Sequence, residues 1–257
     1  MFSLDSSKIK ALLTDNGEGL DVCVFKSIDS TNTQAKRVFK KGENGMLLCA
    51  EMQTAGRGRQ GKSFYSPEKT GVYFSLVLNR EMPLNLAARA TTAAAVAVAK
   101  TVEELTDKRA KIKWVNDVFV DGRKVCGILT EAIPSEKKDY ADGIIVGIGI
   151  NVSTVDFPDE IKDIAGSLES GNIDKNLLVA KIVNNIYDFP FDFENPKIIE
   201  EYKARSLVLG RQISFVKNGE TCTATAVDID KDCGLVIKLP DGETQTLTSG
   251  EISIKLK

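Results

Sequence analysis

The sequence contains no histidine among its 257 residues. This absence excludes catalytic triads and dyads built on an imidazole base, and it removes the commonest protein ligand for zinc. Any chemistry on this chain would therefore use lysine, arginine, carboxylates, backbone N–H groups and the reactivity of the substrate itself.

Cysteine and long apolar runs are also scarce. The five cysteines form no Cys-x-x-Cys pair, and their odd number predicts reduced, mostly buried thiols in a cytoplasmic protein. No apolar run reaches the roughly 18 residues that a membrane-spanning helix needs, and the first residues lack the apolar stretch of a secretory signal. We therefore expect a cytoplasmic protein with no membrane partner.

Charge of one sign is not in excess, because 34 basic residues face 36 acidic ones and the net charge is -2. The whole chain therefore exerts no general attraction on nucleic acid or anionic lipid, and any anion binding must be local. The length and the hydrophobic content of 42% predict one large domain, alone or with a small appendage.

Hydrophobic periodicity predicts an α+β fold with a β-rich tail. Predicted strands lie near residues 21–27, 46–53, 71–78 and 143–152, and predicted helices near 31–41, 86–106, 174–188 and 196–206. Thr31 and Gln34 fit a capping box, and Asp121-Gly122 predicts a hairpin turn. From about Gly210, short strands and turns predict a small barrel, so we expect two domains, 1–206 and 207–257.

Residues 53–62, QTAGRGRQGK, combine three glycines and three basic residues with no acid, between two predicted strands. Glycine lets backbone N–H groups converge on an anion, and Arg57 and Arg59 carry planar donors suited to phosphate or carboxylate oxygens. By itself this loop is compatible with a solvated turn, an anion site or a nucleic-acid site.

A second basic cluster lies near the predicted hairpin. Lys113, Asp117 and Lys124 could each be an ordinary exposed or turn residue. Together with Arg57 and Arg59 they offer four cations against one carboxylate, which suits a substrate that carries both a carboxylate and phosphates.

The stretch GIGIN at 147–151 lacks the third glycine of a dinucleotide fingerprint and lies inside a predicted strand. Glycine inside a strand instead indicates close approach of a ligand or of another backbone. Asn151 at its end would either contact a base edge or cap a turn.

Five motifs in order resemble the biotin–protein ligases: DSTN (29–32), QTAGRGRQG (53–61), KWVND (113–117), GRKVCGIL (122–129) and GIGINV (147–152). With the tail GRQISF…GEISIK, the resemblance runs from about residue 21 to the end. It implies a mixed central sheet with helices packed on it, of the biotinyl/lipoyl ligase and class II synthetase type, and an SH3-like C-terminal β-barrel. Because the motifs begin close to Met1, we expect the short form, without a DNA-binding domain or repressor activity.

The resemblance implies an ATP-dependent ligase. Such an enzyme makes biotinyl-5′-AMP from biotin and ATP, releases diphosphate, and passes biotin to a lysine of a biotin carboxyl carrier protein. The resemblance therefore implies biotin and ATP as substrates, Mg²⁺ as cofactor and a carrier domain as partner, on a monomer or homodimer that binds no DNA.

The resemblance also assigns residues to each part of the site. Biotin would contact Ser30, Thr31, Asn32, Gln53, Arg57, Gly58, Lys124, Gly127, Gly147 and Gly149. ATP or the adenylate would contact Arg57, Arg59, Phe64, Lys113, Asn116, Lys124 and Asn151. The catalytic group would be Lys124, Arg59, Lys113 and Asp117, with Asp117 holding Mg²⁺, orienting Lys124 or helping to deprotonate the incoming amine.

This sequence departs from the family pattern at two positions. Phe64 stands where many members have a tryptophan beside adenine, so an aromatic platform remains but its smaller face could weaken ATP binding. Val115 replaces the proline of KWPND, for which we expect a different strand exit and unchanged chemistry. Cys126, within a motif, is interpreted as a small buried filler.

Two rival functions remain open at this point. A lipoate or other acyl–protein ligase would share the fold, although the RGR loop and the GIGINV strand favour biotin. A nucleic-acid-binding module would use the basic loop and the β-rich tail, but that tail is close to neutral and lacks regular basic–aromatic interleaving.

Overall fold

The computed structural model describes residues 3–14, 17, 19–169, 172–189, 195–217 and 219–254. The predicted α+β class is confirmed. The helices are α1 (Ser6–Leu12), α2 (Thr31–Val38), α3 (Leu86–Leu105), α4 (Lys175–Tyr187) and α5 (Pro196–Ala204). The first eight strands are β1 (Asp21–Phe25), β2 (Met46–Ala50), β3 (Gly71–Leu78), β4 (Met82–Pro83), β5 (Ala110–Lys113), β6 (Asp117–Val120), β7 (Arg123–Pro134) and β8 (Tyr140–Asn151).

These eight strands form one mixed sheet in the order β1-β2-β3-β8-β7-β6-β5, with β4 paired to β8. The β1–β2 pair is parallel and the other pairs are antiparallel. Every residue of β3 is buried, because β3 lies in the middle of the sheet and is covered on both faces. The small side chains of Ala93–Ala99 on α3 are fully buried, which allows this helix to pack closely against the sheet.

Helix α2 begins one residue earlier than the predicted capping box placed it. Ser30, and not Thr31, is the N-cap, and its hydroxyl accepts a hydrogen bond from the Thr33 N–H. Thr31 instead turns its side chain toward Gln53, from which it lies 3.2 Å. The helix also ends at Val38 rather than near residue 41. Likewise, the strand predicted over 46–53 ends at Ala50, where the chain turns toward the basic loop.

The predicted hairpin is confirmed. Asp121 and Gly122 both have positive φ, 51° and 77°, as a two-residue turn between twisted strands requires. This turn fixes the pairing of β6 with β7, which places Asp117 opposite Gly127.

The tail forms a separate antiparallel sheet from β9 (Gln212–Lys217), β10 (Glu220–Ile229), β11 (Leu235–Lys238), β12 (Thr244–Leu247) and β13 (Ile252–Ile254). The strand order is β12-β11-β10-β9-β13. The domain boundary between residues 206 and 207 stays a prediction; in the structure the Leu207 N–H donates to the Ile112 carbonyl of β5, at 2.8 Å.

The five cysteines are unpaired. Three are buried, one is intermediate and Cys23 is exposed. Cys126 is fully buried, as predicted, and burial raises the pKa of its thiol. Among the described helices, none combines the length and the apolar character that a membrane crossing requires.

A buried side-chain hydrogen bond connects the residue after β5 with the turn between β10 and β11. Trp114, the single tryptophan, is almost completely buried, and its Nε1–H donates to the Cys233 carbonyl at 2.9 Å. Trp114→Phe should lower the free energy of unfolding by about 1–3 kcal/mol, because the buried carbonyl loses its donor. Urea unfolding followed by circular dichroism measures this effect, and an unchanged midpoint would show that the bond does not hold the sheets together.

Candidate functional site

A cavity of about 400 Å³ lies on the central sheet, near its contact with the tail. It is bounded by the N-terminus of α2, the basic loop, strands β5 to β8, a segment around residues 157–165 and the tail residues 250–253. Every residue that the sequence assigned to the site lines this cavity: Ser30, Thr31, Asn32, Gln53, Arg57, Gly58, Arg59, Phe64, Lys113, Asn116, Asp117, Lys124, Gly127, Gly147, Gly149 and Asn151.

The floor of the cavity is a row of residues that crosses neighbouring strands. Lys113 of β5 is registered with Asp117 of β6, Asp117 with Gly127 of β7, Gly127 with Gly149 of β8, and Gly149 with Tyr73 of β3. Residues in register on adjacent strands lie side by side, so segments far apart in sequence contribute adjacent positions. Antiparallel pairing alone therefore places the charged motif beside the glycine motifs.

The basic loop is folded onto the cavity. The Gly58 N–H donates to the Lys62 carbonyl at 2.7 Å, and the Phe64 N–H donates to the Gly56 carbonyl at 2.9 Å, which closes residues 56–64 into a hairpin-like turn. Gln60 and Gly61 at its tip have positive φ, 53° and 76°. The side chains at its two ends can consequently reach different parts of the site.

The three cations of the loop have separate partners. Arg57 Nη1 lies 2.9 Å from Glu131 Oε2, and Lys62 Nζ lies 2.5 Å from Glu251 Oε2 of the tail. Arg59 Nη1 donates to the amide oxygen of Asn116 at 3.3 Å, and none of the described carboxylates forms an ion pair with it. Arg59 also lines the cavity.

The charged end of the cavity holds Lys124, Asp117 and Lys113. Lys124 Nζ lies 2.6 Å from Asp117 Oδ1, with both side chains partly buried. The contact is an ion pair without hydrogen-bond geometry, and Asp117 Oδ1 has no hydrogen-bond partner in the described part of the chain. Burial lowers the pKa of Lys113, and the nearby charge of Asp117 opposes that effect. The surplus of positive charge here favours a bound anion.

The other end of the cavity is neutral and polar. Gln53 Oε1 accepts the Thr31 N–H at 2.9 Å, while Gln53 Nε2 donates to Ser66 Oγ at 3.0 Å. Ser66 in turn donates to the Phe64 carbonyl at 2.9 Å. This chain of bonds fixes the orientation of the Gln53 amide, because its nitrogen faces an acceptor and its oxygen faces a donor.

Asn32 lies at the bottom of this polar end, and its side-chain amide has three hydrogen-bond partners among the described residues. Its Nδ2 donates to the Leu129 carbonyl at 3.1 Å and to Glu131 Oε2 at 2.9 Å, and its Oδ1 lies 2.6 Å from Ser75 Oγ. A Cβ atom on Gly147 would come within 2.0 Å of Asn32 Oδ1. Gly147 therefore makes room for this amide.

The middle of the cavity is occupied by the ring of Phe64. A Cβ on Gly149 would lie 2.4 Å from this ring, and a Cβ on Gly127 would lie 3.1 Å from it. Phe64 also meets the ring of Tyr73 edge-on, with 6.3 Å between centroids. The two glycines thus admit an aromatic side chain to the floor of the site; that they also contact biotin stays a prediction.

Beyond Phe64 the cavity has a mixed polar and apolar end. Asn151 Nδ2 donates to the Gly166 carbonyl at 3.0 Å, and its Oδ1 is buried with no partner among the described residues. Phe157, Ile161 and Ile164 line the cavity. The backbone of Lys124 holds this segment in place, since its N–H donates to the Ile164 carbonyl at 2.8 Å.

Sequence reasoning missed several of these residues. Ser75 is a polar residue inside the fully buried strand β3, which is a readable signal of a buried polar contact. Glu131 gave a weaker signal, because β7 also contains Arg123, Lys124 and Thr130. The apolar residues of the segment 157–164 stand among acids and could have been recognised as the wall of a pocket. Glu251 gave no signal, because its approach to Lys62 depends on how the two sheets pack.

No group of three or more histidine, cysteine or acidic residues that could hold a metal ion occurs in the described ranges. Two carboxylates line the cavity, and both are paired with lysines: Asp117 with Lys124, and Glu251 with Lys62. Carboxylates paired in this way fit a Mg²⁺ ion held mostly by substrate phosphates and water, and do not fit a metal bound by protein alone. A role for Asp117 in binding Mg²⁺ stays a prediction.

Comparison with known proteins agrees with this geometry. Residues 24–151 match the model of the biotin/lipoate A/B protein ligase family, and residues 208–255 match that of the biotin protein ligase C terminal domain. The chain belongs to the biotin protein ligase family. Among solved members, the biotin protein ligase from Aquifex aeolicus in complex with biotin and ATP superposes with a TM-score of 0.74 at 27% identity, over 92% of this chain and 99% of that one.

Two curated members of the family illustrate the range of similarity. The bifunctional ligase/repressor BirA of Bacillus subtilis is 40% identical over 168 residues, which are 64% of this chain and 51% of the relative. The biotin--[acetyl-CoA-carboxylase] ligase of Mycobacterium tuberculosis is 26% identical, over 97% of this chain and 95% of the relative. The chain thus spans about half the length of the Bacillus relative.

The space at Gly147 gives a test of the site geometry in this biotin protein ligase family member. Gly147→Ala should lower the free energy of unfolding by about 1–3 kcal/mol, because the buried, hydrogen-bonded Asn32 amide must shift. Gly19→Ala is the matched control, since nothing lies within 4 Å of a Cβ there, and its change should stay within about 0.5 kcal/mol. Equal effects in thermal or urea unfolding would refute the steric role of Gly147.

Proposed function

We propose that this protein activates biotin with ATP to biotinyl-5′-AMP, releases diphosphate, and transfers biotin to a lysine of a biotin carboxyl carrier protein. The observation that carries the proposal is the cavity itself. Cations from separate parts of the chain, Arg57, Arg59 and Lys124, line the same cavity as neutral hydroxyl and amide side chains. Biotin has a neutral ring system and a carboxylate. The neutral polar residues would bind the ring system, and the cations would bind the carboxylate together with a nucleotide phosphate.

The polar end suits the ureido group of biotin, which offers two N–H donors and one carbonyl acceptor. Ser30 Oγ accepts a backbone N–H of α2, and its proton has no acceptor in the part of the chain that the structure describes. It can therefore donate to the ureido carbonyl. Thr31 Oγ1 lies between Gln53 Oε1 and Ser75 Oγ, at 3.2 and 2.8 Å, so its proton points into the protein and its lone pairs can accept a ureido N–H.

The charged end suits the reaction centre. Biotin's carboxylate must attack the α-phosphorus of ATP, and the two negative groups repel each other. Lys124 and Arg59, held on a β-strand and a folded loop, would neutralise both groups and stabilise the charge that develops in the transition state. Because the lowered pKa of Lys113 arises mainly from burial, a bound phosphate would favour its charged form.

The far end suits the nucleoside. Asn151 Oδ1, which has no partner among the described residues, would accept a hydrogen bond from the amino group of adenine. Phe157 and Ile161 would provide an apolar wall on which the base can pack. Phe64 lies between this end and the polar end of the cavity. Its ring would therefore lie between the biotin part and the adenine part of the adenylate. We expect the smaller face of Phe64, compared with a tryptophan, to weaken ATP binding.

The second half-reaction requires a neutral lysine amine from the carrier. The acyl-phosphate anhydride already activates the biotin carbonyl, so no protein nucleophile is needed, consistent with the absence of histidine. Asp117 is the carboxylate closest to Lys124 and can orient that lysine or accept a proton from the incoming amine. Mg²⁺, when bound with ATP, would screen the phosphates, with Asp117 as its protein ligand.

The proposal is tested by incubating purified protein with ATP, a carrier-domain fragment and radiolabelled biotin or lipoate. We expect label from biotin on the carrier and none from lipoate, because the polar end complements a ureido group. Transfer of lipoate without biotin would support a lipoate ligase instead. Failure of both, with a salt-dependent mobility shift on nucleic acid, would support the binding-module alternative.

Lys124→Ala provides the internal control for that assay. Loss of the cation at the reaction centre should slow ATP- and biotin-dependent diphosphate release by about a hundredfold or more. The matched variant is Lys111→Ala, which removes an exposed lysine of strand β5 outside the cavity and should leave the rate unchanged. Near-normal release by Lys124→Ala would remove this residue from the mechanism.

A further inference from the structure

Glu131 of β7 lies behind the cavity and was not among the predicted site residues. Its side chain is 15% exposed and collects three donors. Lys36 Nζ lies 2.7 Å from Oε1, whereas Asn32 Nδ2 and Arg57 Nη1 both lie 2.9 Å from Oε2. One carboxylate oxygen is thus shared by an amide of helix α2 and a guanidinium of the basic loop.

This carboxylate is charged at neutral pH. Burial raises the pKa of Glu131, but hydrogen bonds from Lys36 and Asn32 and the charges of Lys36 and Arg57 outweigh that effect, so the pKa lies below its ordinary value. A charged acceptor forms shorter and stronger hydrogen bonds than a neutral one. Glu131 is therefore suited to hold its donors in fixed positions.

The contact with Asn32 extends to the polar end of the cavity. Asn32 Nδ2 faces two acceptors, Glu131 and the Leu129 carbonyl, so Asn32 Oδ1 must be the atom that faces Ser75. The single hydroxyl proton of Ser75 then goes to Asn32. As a result Ser75 cannot donate to Thr31, and the Thr31 hydroxyl donates into the protein and presents its lone pairs to the cavity.

We propose that Glu131 is a positioning residue that couples the basic loop to the ring-binding end of the cavity. It holds Arg57 on the folded loop and, through Asn32 and Ser75, keeps Thr31 oriented as a hydrogen-bond acceptor. This inference rests on the proposed function, because it names biotin as the ligand whose binding Glu131 supports.

The opposite role would be a latch that keeps Arg57 away from the ligand. The geometry favours positioning. Arg57 lines the cavity while bound to Glu131, and the oxygen that binds Arg57 also binds the nearly fully buried Asn32. The two roles predict opposite changes in biotin affinity when Glu131 is mutated. Loss of a latch would strengthen biotin binding, and loss of a positioning residue would weaken it.

The test is calorimetric titration of biotin into the intact protein without ATP. Glu131→Gln, which keeps the shape but removes the charge, should weaken biotin about tenfold, the size of a typical coupling between linked sites. The control is Asp142→Asn. Asp142 forms an ion pair of the same 2.7 Å length with Lys41 and is 17% exposed, but it does not line the cavity. Its biotin affinity should stay within about twofold of the parent.

A double-mutant cycle separates coupling from general damage to the fold. If Glu131 acts through Arg57, then Arg57→Gln combined with Glu131→Gln should weaken biotin less than the product of the two single effects. The biotin affinity of Glu131→Asp, which keeps the charge, should lie between those of the parent and Glu131→Gln. This variant replaces Glu131→Gln in the test if Glu131→Gln does not fold. Multiplicative effects, or biotin binding by Glu131→Gln as tight as the parent's or tighter, would overturn the proposal. A parent protein that binds no biotin would instead refute the proposed function.

Discussion

The register of three strand pairs, β5 with β6, β6 with β7 and β7 with β8, is the constraint on which the site depends. Lys113, Asp117, Gly127 and Gly149 face one another across β5 to β8 because the Asp121-Gly122 turn fixes how β6 returns as β7. A slip of one residue would turn the side chains to the other face of the sheet. The charged pair would then leave the cavity, and the two glycines would no longer lie beneath Phe64.

Hydrogen-bond direction gives the polar end its chemical preference. Glu131, the Leu129 carbonyl and Ser66 fix the amides of Asn32 and Gln53, and those amides in turn fix the hydroxyl of Thr31. The hydroxyl proton of Ser30, beside Thr31, has no acceptor among the described residues. The site thereby presents one donor and one acceptor in neighbouring positions, which a neutral ureido group can satisfy at the same time. In the proposed reaction, Arg59 and Lys124 would act at the charged end of the same cavity.

The sequence sufficed for much of the fold and for the residues that line the cavity. Hydrophobic periodicity predicted the positions of β3 and α3 closely, since both elements are long and deeply buried. The Asp121-Gly122 pair predicted its turn correctly because both residues adopt the positive φ that such a turn requires. The predicted start of α2 was wrong by one residue because threonine is also a good N-cap residue. In the structure Ser30 caps the helix, and the Thr31 side chain contacts Gln53 and Ser75 instead. The contacts of Lys62 with Glu251 and of Trp114 with Cys233 could not be predicted from local sequence, because they depend on how distant segments pack together.

The most direct test of the central claim is a crystal structure of the protein with biotin and a non-hydrolysable ATP analogue. The account predicts the ureido group against Ser30 and Thr31, and the biotin carboxylate and the α-phosphate both within hydrogen-bond distance of Lys124. Biotin or the nucleotide bound outside this cavity, or the carboxylate and the α-phosphate on opposite sides of Phe64 with no shared cation, would contradict it.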